Sequence, residues 1–516
     1  MTTLTRRILL SGTLAATLGS MIIPGAEDEA AAEERLGLRF HRWAADTWRS
    51  LAAMTDEHTG LTADNIDGDL DPASRSGYTS PTNIGGYLWS TVVADRLGLI
   101  GGRERATRID RTLRTLSRLV HHRPSGMFYN WYDERTGEVL TSWPGSGDRV
   151  HPFLSSVDNG WLAAALMVVA GAERDHRADA ERLLRRMNFA AYYNPTPRPD
   201  LATGLLRGGF WDGEPPPDQP FVVGDYLGTG TPVNYTANHY DTTVSETRIA
   251  SYIGIARRQF PASHYFGTWR TFPAGCDWDW QEQEPVGRTR RYLGIDVFEG
   301  AYRYRGSRVV PGWGGSMFEA LMPDLFVPEA RWAPRSWGVN HPLTVRAHRL
   351  HGLTEAGYGY WGFSPASEPG GGYREYGVEA VGLNPDGYYS DAEKTPVDLG
   401  YGACRLPGPA PEFGDGVITP HAAFLALRYE PAEAYRNLIK VADELGCYGA
   451  GGFYDAVAVR SGTLARRYLS LDQAMIMGSL GNRLADDVIR RSFCGRDVTA
   501  MIKPLIGMET FGAGLD

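Results

Sequence analysis

Apolar residues recur at helical spacing along most of the chain. In residues 33–54, the large apolar side chains Leu36, Phe40, Trp43 and Trp48 follow one another at roughly helical intervals. The same pattern predicts ten further helices, at residues 82–99, 106–121, 158–169, 178–191, 243–259, 315–326, 342–351, 420–427, 431–445 and 471–480. Strand signals are short and local, as at residues 150–155 and 453–459. This pattern predicts an all-α protein.

The number of helices predicts a specific architecture. An α/α barrel arranges paired helices in two concentric rings and needs about a dozen of them. Three connecting regions, residues 192–240, 261–313 and 357–419, are too long for simple loops and are rich in Trp, Tyr and Gly. We expect these long loops, with short β segments, to form the rim of a cleft. No Ser/Pro-rich linker follows residue 35, so residues 33–516 are predicted to form a single domain.

The N-terminus has the layout of an export signal. Arg6-Arg7 precedes an apolar run at residues 8–23, and the small residues Gly25 and Ala26 follow. The arginine pair before an apolar run resembles a twin-arginine signal. The run is short for a membrane span, and no later stretch is apolar enough to cross a bilayer. We expect residues 1–32 to be a signal peptide and the mature chain to be secreted, with an uncleaved anchor as the alternative.

Composition and charge narrow the classes of partner. The formal net charge is −9, and no basic stripe tracks along the chain, so nucleic acid is not an expected partner. Glycine is abundant, with 62 residues, beside 14 Trp and 26 Tyr. Glycine without a period indicates long loops, and aromatic rings in such loops suit a site for amphipathic ligands.

Metal and cofactor chemistry receives no support from the motifs. Cys276, Cys404, Cys447 and Cys494 are far apart, so no metal site is predicted, and three disulfide pairings or free thiols remain open. The acidic segment 64–71 has some calcium-site character but lacks the EF-hand spacing, which favours a solvated turn. Zincin, nucleophile-elbow and P-loop motifs are absent from the sequence, so neither a cofactor nor a serine nucleophile is predicted.

Seven ordered segments carry a family resemblance. They are Ser80–Gly85, Tyr129–Asp133 with Thr136–Glu138, Ser155–Leu162, Ser245–Ala250, Gly315–Glu319 with Leu321–Pro323, Gly452–Ala456, and Tyr468–Gln473. Together they resemble the glycoamylase-like family of bacterial glycoside hydrolases, which includes endo-β-1,2-glucanases. The resemblance implies one six-hairpin α/α-barrel catalytic domain with its cleft at one end. It also implies hydrolysis of a glucan, with β-1,2-linked glucose as the best-known substrate.

Two carboxylates are the candidate catalytic residues, because glycoside hydrolysis generally uses such a pair. Glu246 lies at the start of a predicted helix, where an acidic residue also interacts favourably with the helix dipole. The resemblance matches Glu246 to the general acid. Asp455 follows two glycines, a context that is also typical of a turn aspartate. The resemblance matches Asp455 to the base that activates water in an inverting reaction.

Further residues are candidates for substrate binding. Asp158, Glu319 and Asp472 carry carboxylates that accept strong hydrogen bonds from sugar hydroxyls. Scaffold roles remain open, since Asp158 is also a candidate helix N-cap and Glu319 a candidate partner of a core arginine. Three aromatic residues are predicted to stack on sugar rings, namely Trp361, Trp313 and Trp211.

These features lead to one functional hypothesis and two alternatives. The first is an exported glycoside hydrolase, an inverting endo-β-1,2-glucanase, whose partner is an oligosaccharide or polysaccharide. The second is a glycan-binding protein without turnover. The third is a transglycosylase or lyase that acts on another cell-envelope polysaccharide.

Overall fold

The structure is a computed structural model that describes residues 26–199, 201–272, 281, 283–383, 392–394 and 412–516. The chain divides into two compact units, Met1–Phe40 and His41–Asp516. In the first unit, the described residues are helical. The predicted signal peptide lies mostly outside the described residues, as do Cys276 and Cys404, so these predictions stand as predictions. Cys447 and Cys494 are free thiols.

Helices dominate the described part of the chain. The α-helices are α1 (Ala26–Met54), α2 (Pro81–Arg96), α3 (Gly102–Arg118), α4 (Ser156–Ala172), α5 (Arg177–Arg186), α6 (Arg248–Ala256), α7 (Met317–Leu321), α8 (Glu329–Trp332), α9 (Trp337–Leu350), α10 (Pro420–Ala426), α11 (Pro431–Asp443), α12 (Ser470–Leu484), α13 (Val488–Phe493) and α14 (Arg496–Gly507). Each of the eleven predicted helices overlaps one of them. The sequence pattern missed α8, α13 and α14.

Short strands occupy the connections between helices. They are β1 (Asn65–Asp67), β2 (His121–His122), β3 (Met127–Phe128), β4 (Leu154–Ser155), β5 (Tyr193–Asn194), β6 (Leu205–Arg207), β7 (Gly209–Trp211), β8 (Phe221–Asp225), β9 (Pro232–Thr236), β10 (His239–Tyr240), β11 (Thr289–Tyr292), β12 (Ile295–Phe298), β13 (Tyr302–Tyr304), β14 (Ser307–Val309), β15 (Gly312–Trp313), β16 (Ala366–Ser367), β17 (Tyr373–Arg374), β18 (Gly382–Leu383), β19 (Ala392–Lys394), β20 (Glu412–Phe413), β21 (Val417–Ile418), β22 (Tyr448–Gly449), β23 (Gly452–Phe453), β24 (Ala456–Ala458), β25 (Thr463–Ala465), β26 (Arg467–Leu469) and β27 (Gly514–Leu515).

The strands form small sheets of two to four members. The largest has the antiparallel order β4-β7-β9-β8. Strands β5–β10, β11–β15 and β16–β21 lie within the three regions predicted to be long loops. The prediction that these regions are loops with short β segments therefore underestimated their strand content. Most of these strands have two to four residues, which is too short for a clear alternating pattern.

Six buried helices form the centre of the second unit. They pack side by side in the order α6, α4, α2, α12, α10, α7. Most residues of α2 and α4 are buried, 14 of 16 and 11 of 17, as is expected of helices with an apolar surface on several sides. More amphipathic helices cover this layer: α3 packs on α2, α5 on α4, α14 on α6 and α11 on α10. Four of the six buried helices in this layer are thus each paired with an outer helix.

Helix α9 begins five residues earlier than its predicted start at Pro342. A proline lacks the amide hydrogen, so the sequence pattern favoured it as the first residue of a helix. In the structure, the turn before Pro342 is held by backbone hydrogen bonds from Gly338 to Ala333 and from Asn340 to Ser336, both 2.9 Å. Burial of the Trp337 side chain, which is fully covered, supports this earlier start.

No helix in the part of the chain that the structure describes combines the length and apolarity needed to cross a membrane.

Close approach of α4 and α6 gives a stability prediction. A Cβ atom added at Gly160 would lie 3.0 Å from the Cβ of Ala250 on α6. We expect Gly160→Val to lower the free energy of unfolding by about 1–3 kcal/mol, because the two helices must move apart. Urea unfolding followed by circular dichroism measures this change. The control is Gly213→Val, at a site with no atom within 4 Å. An equal loss in both variants would contradict the packing argument.

Candidate active site

A cavity of about 570 Å³ lies where several buried helices begin. Thr82 of α2, Asp158 of α4 and Asp472 of α12 line it, and so does Glu246, two residues before α6. Serine caps stabilise two of these helix starts, since Ser80 Oγ accepts from Asn83 N and Ser155 Oγ accepts from Asp158 N. Acidic groups are favoured at such positions by the helix dipole. The helix starts therefore deliver carboxyl groups to one cavity.

Glu246 and Glu319 form the first carboxyl cluster. Oε2 of Glu246 accepts a hydrogen bond of 2.5 Å from the indole Nε1 of Trp161. Oε2 of Glu319 accepts one of the same length from the backbone N–H of Glu246. Burial and the neighbouring Glu319 charge raise the pKa of Glu246 well above its ordinary value. Burial raises the pKa of Glu319 to about 7, against the opposing effect of its hydrogen bonds.

Asp158 lies beside this cluster. Its Oδ1 accepts a hydrogen bond of 2.6 Å from Thr82 Oγ1. Burial raises the pKa of Asp158, and Asp158 in turn adds to the shift of Glu246. Crowded carboxyl groups in a medium of low polarity cannot all be ionised. The cluster therefore retains protons at a pH at which exposed carboxylates have lost theirs.

Asp455 and Asp472 form the second cluster. Asp455, between β23 and β24, is 1% exposed, and its Oδ2 accepts a hydrogen bond of 2.6 Å from the backbone N–H of Ser367. Its carboxyl group also contacts that of Asp472. Burial and Asp472 raise the pKa of Asp455 well above its ordinary value, and burial raises the pKa of Asp472 to about 7. Two carboxyl groups in contact share one proton, because they cannot both be charged.

His421 lies behind this second pair. Its Nδ1 is 3.2 Å from Oδ2 of Asp472 and 2.8 Å from Oγ1 of Thr419. Burial lowers the pKa of His421 to about 4, so the ring is neutral at neutral pH. Since a neutral ring adds no positive charge, the shared proton of the pair is retained.

Three aromatic side chains form one wall of the cavity. Tyr78, Trp131 and Trp143 meet edge to face, with ring centroids 5.1–5.3 Å apart. Such a wall offers apolar ring faces beside the carboxyl groups, which suits an amphipathic ligand. The sequence resemblance included Trp131 within a motif without assigning it a role. Its motif was the only signal that could have identified it.

Asp64 also lines the cavity, which corrects the prediction of a solvated turn at its position. Its carboxylate accepts hydrogen bonds from Asn83 Nδ2 at 2.9 Å and from Asn65 Nδ2 at 3.1 Å. Burial raises the pKa of Asp64. The other aspartates of the segment, Asp67, Asp69 and Asp71, are exposed, so Asp64 alone among them lines the cavity.

Tyr373 covers part of the cavity from the hairpin β16–β17. The residue as a whole is 57% exposed, but its hydroxyl group is enclosed near Asp472 and Asp455. Burial and these charges raise the pKa of the Tyr373 hydroxyl well above its ordinary value. The hairpin is tied to the second cluster through Ser367, whose N–H binds Asp455.

The structure brings the five predicted carboxyl groups together. Glu246, Asp158 and Asp472 line the cavity, while Glu319 contacts Glu246 and Asp455 contacts Asp472. The structure does not give Asp158 the helix-capping role that the sequence left open, because Ser155 is the N-cap of α4. The Glu319 carboxylate binds the N–H of Glu246 rather than an arginine.

The three predicted stacking tryptophans do not line the cavity. Trp361 is 2% exposed, and its main chain is bound by the Asn437 side chain, so it is a core residue. Trp211 is 6% exposed and packs against Phe153 with ring centroids 4.7 Å apart. Trp313 is half-buried in β15, outside the cavity wall. For Trp361 and Trp211 the prediction is wrong, because packing has covered both ring faces.

One cluster in the described residues has ligand atoms close enough for a metal ion, namely Asp324, Glu329 and His341. Both carboxylates of this cluster form ion pairs with arginines, Glu329 with Arg248 at 2.7 Å and Asp324 with Arg490 at 3.0 Å. These cations balance the negative charge that a metal ion would need. The cluster is therefore a buried ion-pair network.

The raised pKa of Glu319 gives a prediction about stability. Because the folded chain holds this proton more tightly than the unfolded chain does, the free energy of unfolding falls as the pH rises from about 4.5 to about 7. We expect Glu319→Gln to remove this fall, which amounts to at most about 3 kcal/mol in the free energy of unfolding. Urea unfolding of variant and wild type at about pH 5 and about pH 8 measures it. The matched control is Glu214→Gln, whose side chain is 71% exposed. A gain for Glu319→Gln that is equal at both pH values would exclude this linkage.

Comparison with known proteins gives a curated relative and several solved structures. The chain is 24% identical to the cyclic β-(1,2)-glucan synthase NdvB of Rhizobium meliloti (strain 1021) over an alignment 596 positions long, gaps included. The match covers 90% of this chain but only 18% of that protein's length. An endo-β-1,2-glucanase from Chitinophaga pinensis, solved with sophorotriose and glucose, has a TM-score of 0.61 at 16% identity, over 90% of this chain and 97% of that one.

A fungal structure has a similar fold. The endo-β-1,2-glucanase from Talaromyces funiculosus, solved with sophorose, has a TM-score of 0.60 at 12% identity, over 93% of this chain and 91% of that one. At these identities the likeness concerns the fold.

A family model described as "Protein of unknown function (DUF3131)" matches residues 42–194. The Glycoamylase model, described as "Putative glucoamylase", matches residues 238–495, half of the 516-residue chain. The chain therefore belongs to the glycoamylase-like family, as its ordered motifs predicted.

Proposed function

We propose that the chain is a glycoside hydrolase that cleaves a glucan, with linear β-1,2-glucan as the first candidate substrate. The observation that carries the proposal is the cavity itself, which holds two separate clusters of buried carboxyl groups with raised pKa values. Glycoside hydrolysis needs one carboxyl group that is protonated and another that is ionised near the same bond. The names of the similar structures, endo-β-1,2-glucanases solved with sophorose or sophorotriose, support the choice of linkage.

Glu246 is the general acid in this proposal. The pKa of its carboxyl group is raised by burial and by Glu319, so it carries a proton at neutral pH. That proton passes to the glycosidic oxygen as the bond from this oxygen to the anomeric carbon breaks. Trp161 Nε1 donates a hydrogen bond to Oε2 of Glu246. This bond stabilises the carboxylate that Glu246 becomes when it has given up its proton.

Asp455 is the base. The pair of Asp455 and Asp472 carries one proton, which leaves one carboxylate to accept a proton from water. The backbone N–H of Ser367 favours the ionised form of Asp455, against burial and the neighbouring Asp472, which raise the pKa of Asp455. The water oxygen attacks the anomeric carbon from the face opposite the leaving group, and the configuration inverts. In inverting enzymes the two carboxyl groups stand about 6.5–9.5 Å apart to admit this water.

The aromatic wall of Tyr78, Trp131 and Trp143 binds the sugar rings of the substrate in this proposal. A ring face packs against the apolar face of a pyranose, while the carboxylates accept its hydroxyl protons. Asp158 and Asp472 line the cavity where they are within reach of such hydroxyls. We also propose that the paired helices close into a six-hairpin α/α barrel with this cavity at one end. The layer order of the six buried helices supports that closure.

Export is part of the same proposal. A hydrolase of external glycans must reach its substrate, and the Arg6-Arg7 segment with its apolar run has the layout of a twin-arginine signal. Residues 1–32 are then removed, and residues 33–516 act outside the cytoplasm as one catalytic domain.

Transglycosylation is a second candidate function, favoured by the match to a cyclic β-(1,2)-glucan synthase. In that reaction the hydroxyl group of a second glycan takes the place of water at the Asp455–Asp472 pair. Mass spectrometry of the products separates the two reactions, because transfer yields longer or cyclic chains and hydrolysis yields new reducing ends. Binding measured by calorimetry without any product would instead indicate a glycan-binding protein.

Removal of either catalytic carboxyl group should abolish cleavage. We expect Glu246→Gln and Asp455→Asn each to lower kcat on linear β-1,2-glucan by at least about 100-fold, because proton transfer is lost. Release of reducing ends measures this rate. Glu173→Gln is the matched control, since Glu173 is a buried carboxylate paired with Arg105 outside the cavity wall. If the two variants cleave as fast as the wild type, the assignment of acid and base is wrong.

Loss of an aromatic wall residue should weaken substrate binding more than it slows the reaction. We expect Trp131→Ala to raise KM about tenfold, since an aromatic contact contributes about 1–1.5 kcal/mol. The comparison is Tyr360→Ala, a partly exposed aromatic residue that binds Glu444 outside the cavity wall. Initial rates over a range of glucan concentrations give both constants. An unchanged KM for Trp131→Ala would exclude sugar stacking at this wall.

A further inference from the structure

A buried ion pair lies behind the first carboxyl cluster. Arg248 is the first residue of α6, two positions after Glu246, and its side chain is 5% exposed. Its Nε donates to Oε1 of Glu329 at 2.7 Å, and its Nη2 donates to Oε2 of the same residue at 3.0 Å. This bidentate arrangement fixes the plane of the guanidinium group as well as its position.

The remaining N–H groups of Arg248 hold the main chain around the two buried glutamates. Nη1 donates to the carbonyl oxygens of Ser245 and Glu319, both at 2.8 Å, and Nη2 donates to that of Ala320 at 2.7 Å. All five N–H groups of the guanidinium are thereby used. Arg248 thus joins the segment before α6, which carries Glu246, to α7, which carries Glu319.

Two further side chains hold Glu329, one from α6 and one from α9. Its Oε1 accepts a hydrogen bond of 2.6 Å from the hydroxyl group of Tyr252, and its Oε2 lies 2.9 Å from Nε2 of His341. Against its burial, Arg248 and His341 lower the pKa of Glu329 to about 2, so the pair with Arg248 is ionised. Residues of α6, α8 and α9 therefore hold the Arg248 guanidinium group in place. This group in turn binds the backbone next to Glu246 and at Glu319.

We propose that Arg248, held by Glu329, is a positioning residue that sets the distance between the carboxyl groups of Glu246 and Glu319 and so aims the Glu246 proton at the glycosidic oxygen. Arg248 does not line the cavity, so it acts through the backbone and not on the substrate. The inference rests on the proposed role of Glu246 as the acid. A lysine keeps the positive charge but has three donors on one nitrogen, so it cannot hold both segments and both Glu329 oxygens.

The kinetic experiment compares Arg248→Lys and the milder Tyr252→Phe with a matched control. The control is Arg270→Lys, because Arg270 forms an equally buried pair with Glu509, and its other hydrogen bonds go to the carbonyl oxygens of Tyr265 and Thr268. With linear β-1,2-glucan as the probe, we expect Arg248→Lys to lower kcat about 100-fold while KM changes less than about threefold. Tyr252→Phe should lower kcat by about threefold to tenfold, and Arg270→Lys should leave kcat per folded molecule unchanged.

A second measurement needs no activity. Carbon-13 NMR of protein labelled at the glutamate δ-carbon follows the titration of Glu246 and Glu319, which Glu246→Gln and Glu319→Gln assign. We expect both midpoints to move in Arg248→Lys, although the positive charge is retained, and to stay in place in Arg270→Lys. If Arg248→Lys, like the control, loses only thermal stability and keeps both kcat and the midpoints, the proposal is overturned. If the wild type releases no product, the proposed function fails, while the NMR titration still decides the role of Arg248.

Discussion

Burial of carboxyl groups in contacting clusters is the constraint on which the structure of the site depends. Glu246 contacts Glu319 and Asp455 contacts Asp472, and all of these side chains except the half-buried Glu246 are buried, at the starts of helices or between short strands. Desolvation favours the neutral form of each group, and the repulsion between neighbours allows only part of each cluster to ionise. The chain therefore spends folding free energy on a site that holds protons at neutral pH.

The helix layer makes this arrangement possible. Buried helices such as α4 and α6 approach so closely that Gly160 faces Ala250 without room for a side chain. Helix N-termini, those of α4 and α7 capped by serines, bring acidic residues from distant parts of the sequence to one site. Behind the cavity, the ionised pair of Arg248 and Glu329 compensates its own charges and ties the backbone of two helix starts together. The ion pair thus holds the backbone segments that carry the carboxyl groups of Glu246 and Glu319.

The cavity wall joins two kinds of surface. The rings of Tyr78, Trp131 and Trp143 give it an apolar side, and the carboxyl clusters give it a polar side. The hairpin that carries Tyr373 closes over the second cluster and is anchored there through Ser367. An amphipathic ligand such as a glycan presents matching faces to both sides. The aromatic rings and the carboxyl groups thus lie around one cavity, although they come from many elements of the chain.

Eleven of the described α-helices are predictable from the sequence, because apolar spacing is a local property of each segment. The sequence also determined the family, through motifs around Ser155, Glu246 and Asp455 that kept their order. Which residues meet depends on how the helices and strands pack together. Glu319 contacts Glu246 across 73 positions, and Trp361, an apparent surface platform, is a core residue held by Asn437. Burial, pKa and ring exposure depend on such distant contacts, and these are set by packing rather than by any local pattern.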